Sequence, residues 1–265
     1  MGIYLDKNLV LEETRSLNDS KFAILGFPFD STCSYRAGTK EGPYQIRREF
    51  LELDKPESFW SNSGFFDAGN LVCAPCNLIE TMRRQELELT QILEENKNII
   101  PITLGGEHSA SYIPIKLLAG VHKDLQVAHF DAHPDLMDEY LGEKWSHTTV
   151  MRRVFEDATA SIVQFGVRTG TDEEKAQAKL LPKKLDSKKP TYISIDMDVI
   201  EPGHCPGVGT PEPGGIIIQE LTRELKKIKN IVGFDIVETS PPYDKGNITS
   251  VTAARTLITL MEQLS

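Results

Sequence analysis

Leu125-Gln126-Val127-Ala128-His129-Phe130-Asp131-Ala132-His133-Pro134-Asp135 begins as an apolar strand and ends as a set of carboxylates and imidazoles. Residues 125–130 read as a strand covered on both faces, which belongs in a parallel sheet. Ligands of such sheets gather beyond the carboxyl ends of the strands. Asp131, His133 and Asp135 stand at one such end. The arrangement recurs twice. Residues 191–195 close on Ser194-Ile195-Asp196-Met197-Asp198, and residues 99–104 lead into Gly105-Gly106-Glu107-His108. Side chains alternate faces along a strand, so Asp196 and Asp198 are expected to point the same way. Asp131 and His133 would do so too in a strand that runs on to them.

Further strand patterns lie at 22–26, 65–68, 162–166 and 231–236. Helical patterns lie between them, at 43–53, 78–96, 109–118, 148–157, 172–179, 217–229 and 250–263. This alternation argues for an α/β fold, a parallel sheet flanked by helices on both faces. No internal repeat or low-complexity linker divides the chain. Residues 21–265 are expected to form a single domain, and the polar residues 1–20 an irregular arm that packs on the body or on a neighbouring subunit.

Length and charge set outer limits. The 265 residues suffice for one large domain with a substantial core. Twenty-nine basic residues against 39 acidic give a net charge of −10, and the basic residues are scattered. Nucleic acid is therefore excluded as a partner, and cationic substrates are favoured. No signal peptide is read at the start and no apolar run approaches the ~18 residues of a membrane span. Met1-Gly2-Ile3-Tyr4-Leu5-Asp6 lacks the Ser or Thr of a myristoylation signal. The expected compartment is the cytoplasm. Cys73-Ala74-Pro75-Cys76 has redox-motif spacing, but a reduced pair in a surface turn is expected. Cys33 and Cys205 are read as free thiols.

The ligand types select the metal. None of the candidate ligands is a thiolate, as structural zinc would favour. Carboxylates suit Mg, Ca or Mn, imidazole suits transition metals, and Mn²⁺ satisfies both. His108, Asp131, His133, Asp135, Asp196 and Asp198 are too many for one catalytic ion with an open position. They suit two ions sharing bridging carboxylates. Two-metal sites place their ions roughly 3.5–4 Å apart and ionise a bound water near neutral pH.

Five segments together resemble the ureohydrolases, the arginase and agmatinase family, and agmatinase more than arginase. They are Gly105–His108, Asp131–Asp135, Ser194–Asp198, the run Gly207-Val208-Gly209-Thr210-Pro211-Glu212-Pro213-Gly214-Gly215, and Gly233-Phe234-Asp235-Ile236-Val237-Glu238. The resemblance runs from the Gly26-Phe27-Pro28 turn to the C-terminal helix. It implies a three-layer arginase-like fold with an eight-stranded sheet, where the residue patterns alone give seven strands. It implies one Mn²⁺ on His108, Asp131, Asp135 and Asp196, and a second on His133, Asp131, Asp196 and Asp198. It also implies that His147 moves protons between solvent and the leaving amine, and that Glu238 holds a guanidinium. Imidazole suits the first task because its pKa lies near working pH, and a carboxylate matches a planar guanidinium in the second. Trimers or hexamers are implied as well.

The residues depart from the family pattern at Glu107, where Asp is usual, at Pro134 for Thr, Thr148 for Gly and Ser240 for Asn. None removes a ligand. His129 reads as support for the metal motif, His122 and His204 as surface or loop residues, and Arg152 and Arg153 as solvated or salt-bridged. Residues 206–215 read as a turn shaping the pocket wall. The resulting expectation is hydrolysis of agmatine to putrescine and urea. Arginine, guanidinobutyrate and aminopropylated agmatine are the rival substrates. A silent relative that binds polyamine or metal is opposed by the intact ligand set, and a single-metal deacetylase would not need the second carboxylate pair. Residues 136–146 carry Asp138, Glu139 and Glu143 against Lys144 and are expected to form an acidic pocket mouth that repels the carboxylate of arginine.

Overall fold

Eight strands form one sheet in the computed structural model, which describes residues 2–8, 10–11, 15–158 and 160–265. They are β1 (Leu5–Asp6), β2 (Phe22–Phe27), β3 (Phe65–Leu71), β4 (Ile100–Gly105), β5 (Gln126–Phe130), β6 (Ser161–Phe165), β7 (Thr191–Asp196) and β8 (Ile231–Val237). Their order is β1-β3-β2-β4-β8-β7-β5-β6. Only β1 pairs antiparallel, with Leu5 opposite Leu71. This is the strand the residue patterns miss, since two residues carry no periodicity. Within residues 1–20 the described part pairs with β3 through these two residues. Leu17 is buried and opens a 3-10 turn at Leu17–Asp19, and Leu11 is buried too. Residues 1, 9 and 12–14 of the expected arm lie outside the described residues.

Strand residues divide alternately between two cores. In β2, Phe22 and Ile24 enter one, and Ala23, Leu25 and Phe27 the other. In β7, Ile193 and Ile195 part from Tyr192 in the same way. Each such side chain contributes about 1.5–3 kcal/mol when fully buried. The register of the central strands is therefore strongly fixed.

Among the described residues eight helices cover these faces: α1 (Gly42–Glu52), α2 (Glu57–Asn62), α3 (Leu78–Glu95), α4 (Tyr112–Val121), α5 (Val150–Asp157), α6 (Asp172–Ala178), α7 (Ile218–Leu225) and α8 (Ile248–Leu264). Residues of α1, α2, α7 and α8 join the first core, and those of α3, α4 and α5 the second. The short α2 was not expected; its six residues are too few for a helical repeat to show. Among the described residues no helix is long and apolar enough to cross a membrane.

β4, β8, β7 and β5 lie side by side at the sheet centre. Their carboxyl ends deliver His108, Glu238, Asp196 and Asp131 to one place. The strand-alternation argument for the paired carboxylates fails in detail. β5 stops at Phe130 and β7 at Asp196, and Met197–Val199 turns as a 3-10 helix. Asp196 accepts the backbone N–H of Asp198 at 2.8 Å. The turn, and not a continued pleat, brings Asp198 to the site.

Candidate metal centre

His108 Nδ1 is ringed by carboxylates. It lies 3.0 Å from Asp131 Oδ2, 3.1 Å from Asp135 Oδ2 and 3.4 Å from Asp196 Oδ2. The other ring nitrogen fixes the tautomer. Ser194 Oγ gives its proton to Asp235 (2.8 Å), so it accepts from His108 Nε2–H (3.0 Å). In the neutral ring Nδ1 is then a lone pair, buried and without a hydrogen-bond partner. Facing three carboxylates, this nitrogen draws positive charge, as a ring proton in the metal-free protein or as a metal ion held between them.

A second group adjoins the first. His133 Nδ1 lies 2.9 Å from Asp198 Oδ2 and 3.4 Å from Asp131 Oδ1. Asp131 thus turns one oxygen to each histidine. His108, His129, Asp131 and Asp135 form one set able to hold a metal ion, and Asp131, His133 and Asp198 another. Asp196 falls outside both tight sets although it faces His108. His129 belongs to the first set by distance, but its chemistry is that of a support. The Gln164 amide donates to Pro134 O (2.8 Å) and to His129 Nδ1 (3.1 Å), so His129 carries its proton on Nε2 and gives it to Asp131 (2.9 Å).

The charges show the same demand for a cation. Burial opposes charge on His108 and His133, yet the carboxylates hold His108 well above its usual pKa and push His133 to about 12. Burial and the neighbouring Asp198 and Asp131 raise Asp196, and burial with Asp131 raises Asp135 to about 6. Asp131 is held low despite its burial by His108, His129 and His133. Asp135 and Glu238 both sit in the left-handed region, at φ 52° and 62°. Non-glycine residues there carry strain that the surrounding structure must hold.

A cavity of 170 Å³ opens beside the cluster, lined by His108, His133, Asp135, Asp196 and Glu238 together with Ser34, His147, Glu174 and Thr210. No Lys or Arg is among the described residues that line it. Glu238 accepts the His108 backbone N–H (2.8 Å) on Oε1, and burial with Glu107 nearby raises its pKa. His147 opens a 3-10 turn at the head of α5, with Nε2 3.1 Å from Ser34 Oγ. Burial, with His108 and His133 nearby, lowers its pKa to about 4. The 206–215 run does shape the wall: Thr210 Oγ1 donates to Asp198 (3.2 Å).

Ser34 and Glu174 carried no sequence signal. Glu174 does close a Thr-x-x-Glu capping box at the head of α6, which marks a helix start and not a pocket. The acidic mouth is corrected. Asp138, Glu139 and Glu143 do not line this cavity. Asp138 pairs with the nearly buried Arg153 at 2.8 Å, and Glu139 and Glu143 are exposed. Cys33, Cys73, Cys76 and Cys205 are all free.

Residues 20–262 match the arginase family as a whole. An agmatinase from Bacillus cereus is 35% identical over 266 residues, covering 91% of this chain and 90% of the relative. An agmatinase from Pyrococcus horikoshii is 35% identical over 281 residues, covering 97% of each. The crystal structure of the agmatine ureohydrolase of Thermoplasma volcanium superposes with a TM-score of 0.81 at 31% identity, covering 96% of this chain and 93% of that one.

Proposed function

The chain belongs to the arginase family, and on that premise we propose that it is a two-metal ureohydrolase that converts agmatine to putrescine and urea. The observation that carries this reading is Asp131, whose two carboxylate oxygens face two different histidines. His108, Asp131, Asp135 and Asp196 would hold one Mn²⁺, and His133, Asp131, Asp196 and Asp198 the other. Their donor set fits: oxygens and neutral imidazoles, with a buried lone pair already aimed inward. Divalent metal held by these residues would supply Lewis-acid charge for activating water and polarising the substrate.

The chain's own groups do the rest. Glu238 has Oε1 committed to the His108 N–H and Oε2 left for a guanidinium N–H. Water adds to the guanidinium carbon, and the bond to the alkyl nitrogen breaks. The water oxygen stays on the carbon as that of urea, and both water protons end on the leaving nitrogen, which departs as an ammonium. His147 is neutral at working pH, so it can take a proton at Nε2 and give it to the leaving nitrogen. Glu174 adds negative charge to the wall, which suits the ammonium of agmatine. The carboxylate of arginine or guanidinobutyrate finds no cation there. The assembly as trimer or hexamer and the cytoplasmic location implied by the resemblance are carried with this reading.

The test is urea release from agmatine, arginine, guanidinobutyrate and aminopropylagmatine, with metal analysis of the same protein. Chelation should abolish turnover, Mn²⁺ should restore it, and two ions per chain should be found. Equal efficiency on arginine and agmatine, or one ion per fully active chain, would sink the reading.

A further inference from the structure

Thr32 and Glu107 stand outside the proposed ligand set and outside every role given above. Thr32 lies in the loop after β2, and Glu107 follows β4, completely buried. Glu107 grips Thr32 at two points. Its Oε2 accepts the Thr32 backbone N–H at 2.8 Å, and its Oε1 accepts the Thr32 hydroxyl at 2.6 Å. Ser109 Oγ donates to the same Oε1 at 2.6 Å. Burial raises the Glu107 pKa and these three donors oppose that rise; as a carboxylate it accepts from all three.

The consequence falls on His147. A threonine hydroxyl has one proton, and here it is spent on Glu107. Toward every other neighbour Thr32 Oγ1 can only accept. It accepts the His147 backbone N–H at 3.0 Å and lies 3.4 Å from His147 Nδ1. That second contact is attractive only when Nδ1 carries the ring proton. With a free rotor, the hydroxyl could instead donate to Nδ1 and send the ring proton to Nε2. The clamp removes that alternative. Nε2 is then the lone pair, 3.1 Å from Ser34 Oγ, and both residues line the cavity.

We propose that Thr32, locked by Glu107, is a positioning residue that holds His147 in its Nδ1–H tautomer and so keeps Nε2 free to accept a proton in the pocket. This rests on the reading of His147 as the group that moves protons, but the tautomer itself can be observed without turnover. Glu107 reaches Thr32 with both carboxylate oxygens.

The experiment compares Thr32→Val, which keeps the shape and loses the hydroxyl, with Thr32→Ser, which keeps the hydroxyl. Imidazole ¹⁵N spectra of the Mn-free protein, with His147→Asn used to assign the resonance, report the protonated nitrogen. Urea release and metal content are measured on the Mn-loaded protein. Wild type and Thr32→Ser should show the proton on Nδ1, and Thr32→Val should lose that preference. The Val variant should lose roughly tenfold in kcat, less than the 10²–10⁴-fold that a whole acid–base group contributes. KM and metal content should hold, and Thr32→Ser should recover most of the rate. A Thr32→Val protein that keeps both the Nδ1–H signal and kcat overturns the proposal. So does one that loses rate and metal together with no rescue by Ser, since that marks a merely structural role. Failure of wild type to release urea from any guanidino compound would instead defeat the function reading, and the spectra alone would then decide the tautomer.

Discussion

The two sides of the cavity are built by different means. On the strand side β7 ends on Asp196, Asp131 follows β5 in contact with His108, and His108 opens the 3-10 turn after β4, so strands buried in two cores set their positions. On the other side Ser34, His147, Glu174 and Thr210 come from loops and short helix starts, and side-chain hydrogen bonds hold them. The first side is rigid because the sheet is rigid. The second is only as fixed as its polar contacts, each of net worth about 0.5–1.5 kcal/mol. Substitutions on the strand side should therefore act on metal and rate together. Those on the loop side should separate rate, affinity and pH dependence from metal content.

The largest effect should come from the strand side. Asp131→Ala or Asp196→Ala leaves opposed charges without their bridge. Each should lower urea release by roughly a thousandfold or more, as withdrawal of several kcal/mol of metal charge stabilisation requires. Bound metal should fall in the same preparations. Full occupancy in Asp196→Ala would remove Asp196 from the shared position, where its contact to His108 is the longest of the three at 3.4 Å.

His147→Asn should come next, and its signature should differ. A lost acid–base group costs roughly 10²–10⁴ in kcat, with metal content and KM little changed. The same residue should leave a mark on stability. Its pKa falls from 6.5 to about 4 on folding, through burial and the positive surroundings at His108 and His133. The unfolded chain thus binds more protons than the folded one in that interval. The stability linked to His147 is full above pH 6.5 and drains away as pH falls toward 4, up to about 3 kcal/mol. Denaturant melts across this window should show a steeper acid loss for wild type than for His147→Asn. Parallel curves would mean that His147 is not held neutral by its site.

The same division explains what the amino-acid order reveals. His108, Asp131, His133, Asp135, Asp196 and Asp198 stand in short runs at the ends of apolar strands, so local pattern gathers them. Seven strands are visible for the same reason, and β1 is not, having two residues. The loop side depends on partners far apart in the chain. Thr32 meets His147 across 115 residues, and a lone Thr or Ser announces nothing. Asp138 is not legible as a paired acid because its partner, Arg153, lies 15 residues on, in α5. Asp198 was read correctly as a neighbour of Asp196, but through alternation that the 3-10 turn at Met197–Val199 replaces.

The smallest effects should fall on the substrate's tail, and they decide where the loop side ends. Glu174 lines the cavity while its oxygens accept the Leu136 N–H (3.3 Å), the Thr171 N–H (2.9 Å) and the Thr171 hydroxyl (3.0 Å). Glu174→Gln keeps a side chain able to cap α6 and removes one negative charge from the wall. It should raise KM for agmatine about tenfold, the equivalent of ~1.4 kcal/mol, with kcat and metal content held. Asp138→Asn combined with Glu139→Gln removes two charges outside the cavity. Arg153 already satisfies Asp138 and holds its pKa down, and solvent screens an exposed acid beyond roughly 8–10 Å. The double variant should therefore leave KM for agmatine within about twofold of wild type, since screened surface charges contribute little. A larger change there than in Glu174→Gln would move the tail-reading charge to the outer loop and erase the division between wall and mouth. Aminopropylagmatine sharpens the same test, because its extra ammonium reaches further. If its KM alone responds to the double variant, Asp138 and Glu139 read a longer polycation beyond the wall that Glu174 defines.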